Sequence, residues 1–167
     1  FVEKSLKSSK LLYNNKKINK ANASLMFPCY SLVFGFNNIL LNDSSYRRDF
    51  IDSGMFHVEP ASRQAFTSFE KCLKQRNFVL KSKKYDSIDF WDKELINANY
   101  NLSEYRREYF HTLNNEFSSI IQKIKVKFPE IYSDISSLKL EYLKGWDGDD
   151  FNSILKNSMP KDQMLGY

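Results

Sequence analysis

From residue 92 to about residue 127, apolar side chains recur at Leu95, Ala98, Leu102, Tyr105, Tyr109, Leu113, Phe117, Ile120 and Ile124, at intervals of three and four. This is the spacing of one face of an α-helix. Neither Gly nor Pro interrupts the run before Pro129, so one helix over Asp92–Lys127 is predicted, about 50 Å long at 1.5 Å per residue. Upstream, Phe66, Phe69, Leu73, Asn77 and Leu80 repeat the same spacing after Pro60, a residue suited to a first helical turn. A second helix over Pro60–Ser82 is therefore predicted. It should pair antiparallel with the long one, setting Phe66, Phe69, Leu73 and Leu80 against Leu102, Tyr105, Tyr109 and Leu113.

Other segments show shorter signals. Lys10–Tyr13 and Lys17–Lys20 flank Asn14-Asn15 as the strands of a hairpin. Cys29–Phe34, after Pro28, has the β-branched and aromatic content of a buried strand. Asp43, Ser44 and Ser45 are capping types ahead of a short helix carrying Tyr46, Phe50 and Ile51 on one face, expected to stop near Gly54. Leu138 to Tyr142 alternates apolar and charged residues as a half-exposed returning strand would. Trp146 and Gly148 suit a turn, Asp149 or Asp150 a cap for Phe151, Ile154 and Leu155, and Pro160 the opening of a last helical turn ending at Gly166. The chain reads as α+β, mainly α, with a few strands in residues 1–41 and a helical domain over 42–167.

Composition narrows the classes. The 167 residues hold 16% aromatics and 42% hydrophobics, which excludes a disordered chain. Only five glycines argue against a Gly-rich phosphate loop, and no Gly-x-x-x-x-Gly-Lys-Ser/Thr pattern is present. Two cysteines, Cys29 and Cys72, are too few for a disulfide framework or a four-cysteine metal site and fit a reducing compartment. No apolar run approaches the length of a membrane span, so no transmembrane helix is expected; the protein is expected to be cytoplasmic, without a membrane partner. Because it opens on Phe1 and closes on Gly166-Tyr167, the chain is expected to be a piece of a longer one.

The net charge is +5. Its densest positive stretch is Lys71–Lys84, where Lys71, Lys74, Arg76, Lys81, Lys83 and Lys84 occur with no acid. On a helix Lys74, Lys81 and either Arg76 or Asn77 share a stripe beside the apolar one. Such a stripe either meets backbone phosphates or is a solvated face near a helix C-terminus, where cations favour the dipole. Arg47 and Arg48 stand in a first helical turn, against that dipole, and call for an anionic partner: Asp49, Asp52, another carboxylate, or a phosphate. Glu108 and His111 have a ligand-like spacing but no second such pair, and Asp147-Gly148-Asp149-Asp150 lacks the calcium-loop pattern. No catalytic or metal site is expected.

Several blocks together carry a resemblance. Tyr46-Arg47-Arg48-Asp49-Phe50-Ile51-Asp52, Phe56-His57, Glu59-Pro60, Leu73-Lys74-Gln75-Arg76-Asn77, Trp91-Asp92-Lys93-Glu94-Leu95, Gly145-Trp146 and Asp162–Tyr167 resemble, in order and approximate spacing, the bacterial RecF family of recombination mediators. The resemblance implies an SMC-like ATPase with an ABC-type head and a helical arm. Residues 1–41 would be remnant strands from the edge of the head's first lobe, and 42–167 the arm with its long antiparallel helix pair. It further implies an ATP-dependent homodimer that binds DNA at single-strand gaps and duplex junctions, and helps load RecA with RecO and RecR during recombination, replication and the SOS response. ATP and Mg would belong to the complete protein; this chain has no Walker A, signature or Walker B motif, and no cofactor or activity of its own is expected. Tyr30 stands where the family often has the Q-loop glutamine. The residues expected to meet DNA are Lys74, Arg76, Lys81, Lys83 and Lys84, with Arg47 and Arg48 secondary. The alternative is a structural helical module that docks another protein without touching DNA.

Overall fold

Asn14 and Asn15 both take positive φ, 48° and 61°, the conformation that a two-residue hairpin turn needs if its twist is to match the flanking strands. Asn tolerates it better than other side chains. The turn joins β2 (Ser9–Tyr13) to β3 (Lys16–Ile18), with Tyr13 opposite Lys16 and Leu11 opposite Ile18. A third strand, β1 (Val2–Lys4), pairs antiparallel on the other side of β2. The computed structural model describes residues 2–4, 9–19, 22–23, 26–27, 44–146 and 150–166. The strand expected at Cys29–Phe34, and the domain boundary expected near residue 41, lie outside them.

The chain forms two units, residues 1–57 and 58–167. In the first, the sheet is followed by helix α1 (Ser44–Val58). α1 does not stop at Gly54: glycine costs about 1 kcal/mol relative to alanine inside a helix, and no proline follows until Pro60. Its buried residues are Asp52, Gly54 and Met55, whereas Tyr46 and Phe50, expected to share one face, are exposed.

The second unit is helical. α2 (Ser62–Ser82) and the 40-residue α3 (Ile88–Lys127) are joined by a short turn containing one 3-10 turn, Tyr85–Ser87. They pack antiparallel: Val79 and Leu80 cluster with Ile88, Arg76 meets Asp92, and Cys72 packs with Leu95 and Ala98. The tight connection sets this register, so the core of the pair uses the start of α3. The expected partners Tyr109 and Leu113 lie further along α3, where the adjacent Phe110 and Asn114 meet residues 138–142. At 1.5 Å per residue α3 spans about 60 Å and α2 about 32 Å, so the longer helix continues past its partner.

Pro129 ends α3. The residue before a proline is pushed out of helical geometry, and Phe128 lies outside the helical region at φ −140° and ψ 65°. Pro129 then opens α4 (Pro129–Ile135), which folds back on the end of α3 with Lys125 over the Tyr132 ring. Residues 138–144 show no strand. The expected alternation is real, but Leu140 and Tyr142 turn toward α3 rather than toward a neighbouring strand. Tyr142 packs on Phe110, and Leu138 to Glu141 line a groove with Asn114, Phe117 and Ile121. Last comes α5 (Phe151–Leu165), capped by Asp150 and ending at Gly166 with φ 75°. Pro160 sits inside α5 rather than opening a separate turn. Leu155 and Phe151 join the Cys72–Leu95 cluster, and Met159 the Val79–Ile88 cluster. The fold is thus mainly α with a few strands, as the sequence pattern implies.

Candidate nucleic-acid interface

The face of α2 turned away from α3 carries the charge. Successive exposed positions Thr67, Lys71, Lys74, Phe78 and Lys81 are three or four residues apart, one stripe on the helix surface. Lys81 closes the last turn, where cations complement the dipole. The stripe continues into the connection. Lys83 occupies the left-handed position after the helix at φ 55°, its N–H donating to the Leu80 carbonyl at 3.2 Å. Lys84 follows, also exposed. Lys74 pairs with Glu70 at 2.9 Å, one turn back. The Lys74 side chain is 75% exposed, and exposed pairs of this kind contribute about 0.2–1 kcal/mol, so a phosphate can displace the carboxylate at little cost.

Arg76 does not belong to this surface. Two positions from Phe78 at about 100° per residue, it points to the opposite side of α2 and is 3% exposed. Its Nε donates to Asp92 Oδ1 on α3 at 2.6 Å. Its Nη2 lies 2.9 Å from Asp162 Oδ2 on α5, but no N–H points along that line, so the contact is one of charge rather than a directed hydrogen bond. Ser158 Oγ donates to the same Asp162 oxygen at 2.9 Å. Arg76 thereby ties three helices together. An arginine in this position is a structural centre, which corrects its expected place among the phosphate contacts.

Arg47 and Arg48 belong to the other unit. Both are exposed on the first turns of α1, and Arg48 Nη1 donates to Ser44 Oγ at 3.0 Å. Among the described residues no group of three or more His, Cys, Asp or Glu side chains is arranged to hold a metal ion, and no helix is long and apolar enough to cross a membrane. His111 is exposed beside Asn115, at 3.3 Å. Asp150 is occupied as a cap: its carboxylate accepts from the N–H groups of Asn152 and Ser153 at 3.0 and 3.2 Å and from Ser153 Oγ at 2.6 Å. Those bonds, the Ser153 hydroxyl first, hold its carboxyl below the usual carboxylate range. The Cys72 thiol is pushed upward, chiefly by burial and then by Glu94, with Lys71 opposing.

Sequence reasoning missed Phe78. Its signal was present, since it stands four residues after Lys74 and three before Lys81, but the apolar stripe drawn through Phe66, Phe69, Leu73 and Leu80 left it unassigned.

The chain is 34% identical over 135 residues to the DNA replication and repair protein RecF of Vibrio campbellii, an overlap covering 80% of this chain and 35% of that protein. RecF of Vibrio cholerae is 34% identical over 131 residues, and RecF of Pseudomonas putida 36% identical over 124 residues, or 72% of this chain and 32% of that one. The chain thus spans about a third of the length of the curated relatives it matches. No family model and no solved structure matches it.

Proposed function

This chain is homologous to a middle part of the RecF proteins of DNA replication and repair, and on that premise we propose that it forms the DNA-facing, non-catalytic helical part of a RecF-type recombination mediator. In this reading the complete protein uses ATP and Mg to dimerise on DNA at single-strand gaps, and acts with RecO and RecR to load RecA. The present chain supplies charge and shape, not nucleotide chemistry. The observation that carries the reading is the exposed lysine face of α2 and its turn: Lys71, Lys74, Lys81, Lys83 and Lys84 within a window that contains no acidic residue. Point charges on flexible stems, along one helix face and in the turn that follows it, suit phosphates tracked along a backbone. They position a duplex without reading its bases.

Protection mapping tests this. In the full-length protein with ATP and Mg, bound duplex is expected to shield Lys74, Lys81, Lys83 and Lys84 from acetylation, measured residue by residue by mass spectrometry. Lys156 and Lys161, exposed on α5, serve as the comparison. Equal labelling of all of them with and without DNA would remove the proposal.

A second reading, a helical module that docks another protein, is favoured by one observation. The far part of α3 and the segment returning along it expose Ile120, Val126, Leu138 and Leu143. Partner binding that persists while DNA leaves every lysine unprotected would establish it instead.

A further inference from the structure

We infer that Phe78 is a stacking platform for an unpaired base, flanked by lysines that hold the phosphates on either side of that nucleotide. This rests on the reading of the α2 lysine face as a nucleic-acid surface and names what part of the nucleic acid it takes. Phe78 is 66% exposed and lies in the middle of the stripe, with Lys74 one turn before it and Lys81 one turn after. Along the axis these lysines are about 6 Å and 4.5 Å from it, at 1.5 Å per residue. Ammonium groups on four-carbon stems at those distances reach the phosphates 5′ and 3′ of a nucleotide whose base lies on the ring.

An exposed phenylalanine alone needs no explanation. Its setting does. Lysine is depleted from the centres of protein–protein interfaces, so a ring surrounded by Lys71, Lys74 and Lys81 is poorly placed as the anchor of a protein contact. Alternating cations and aromatic faces are how sequence-tolerant single-strand sites are built, since every base has a face to stack. In an intact duplex the base faces are already stacked, and opening a step costs free energy. The ring therefore favours single-stranded nucleic acid, whereas the lysines serve both forms.

The test compares Phe78→Ala, Phe78→Trp and the triple change Lys71→Gln, Lys74→Gln and Lys81→Gln in the full-length protein, with a labelled oligothymidylate strand and a blunt duplex as probes. Phe78→Ala should weaken single-strand binding about 5- to 150-fold, the range measured for loss of one base–aromatic stack. Duplex affinity should stay within about twofold, and Phe78→Trp should restore single-strand binding. An iodouracil-substituted strand should photocrosslink at Phe78. If Phe78→Ala leaves single-strand affinity unchanged while the lysine changes weaken both probes, the stacking inference falls and the lysine face stands. If the lysine changes also have no effect, both fall. If Phe78→Ala instead disrupts self-association or partner binding, the ring is a protein contact and the inference is overturned.

Discussion

Replacing Arg76 by Met keeps the aliphatic stem and removes the charge that joins α2, α3 and α5. Asp92 and Asp162, with side chains only 14% and 17% exposed, then face one another without the cation between them. Removing one partner of a buried ion pair costs about 3–5 kcal/mol, because the remaining charge stays desolvated. The two carboxylates keep some access to water, which places the expected loss near the lower end, about 3 kcal/mol. Total stabilities of ordinary domains are about 5–15 kcal/mol, so the loss is a large share. Urea unfolding followed by far-ultraviolet circular dichroism measures it, and an unchanged slope against denaturant shows that stability alone has moved. Changing Asp92 and Asp162 to Asn in the same background should recover much of the loss, because the orphaned charges go with the arginine. A loss below about 0.5 kcal/mol, the size usual for surface substitutions, would refute the three-helix tie and return Arg76 to the exposed face.

Three further outcomes follow from the packing. Leu95, 1% exposed in the Cys72 cluster, should cost about 2–5 kcal/mol on change to Ala, read from the same unfolding curves. Asp150→Ala should lower the melting temperature near neutral pH by uncapping α5. The native carboxyl is held low, so its contribution is complete above the unfolded pKa and is lost as pH falls through the folded value; the two melting curves should converge in acid. The Cys72 thiol, buried and shifted upward, should react slowly with a disulfide reagent in the native protein and rapidly in urea.

Much of the helical unit was legible because long helices announce themselves by period. The seam from Leu95 to Ile124, the stop at Pro129, the Asp150 cap and the Gly166 terminus all act within a few residues of themselves, and the Asn14-Asn15 turn is equally local. What the pattern could not supply was direction in space. Arg76 counts as polar in any periodic reading, yet Asp92 and Asp162 make it an interior residue, and those partners are 16 and 86 positions away. Its burial turns the inner face of α2 toward Cys72, Arg76 and Val79 and leaves Phe78 outside. The alternation at residues 138–142 likewise marks two unlike sides without naming the neighbour, which proves to be a helix. Pro160 shows the converse: a local rule against helix is overridden by the packing of Leu155 and Met159 before it and the Asp162–Arg76 ion pair after it.

The central claim is that the exposed lysine face of α2 meets DNA phosphates, and its most direct test is the salt dependence of duplex binding. Changing Lys74, Lys81 and Lys84 together to Gln removes three of the proposed contacts without touching the buried face. Each lost phosphate contact lowers the slope of log affinity against log salt by about 0.9, so in the full-length protein with ATP and Mg the slope should fall by about 2.7, with weaker binding at low salt. An unchanged slope and affinity would mean that these lysines face only solvent, and would leave protein docking as the role of this helical unit.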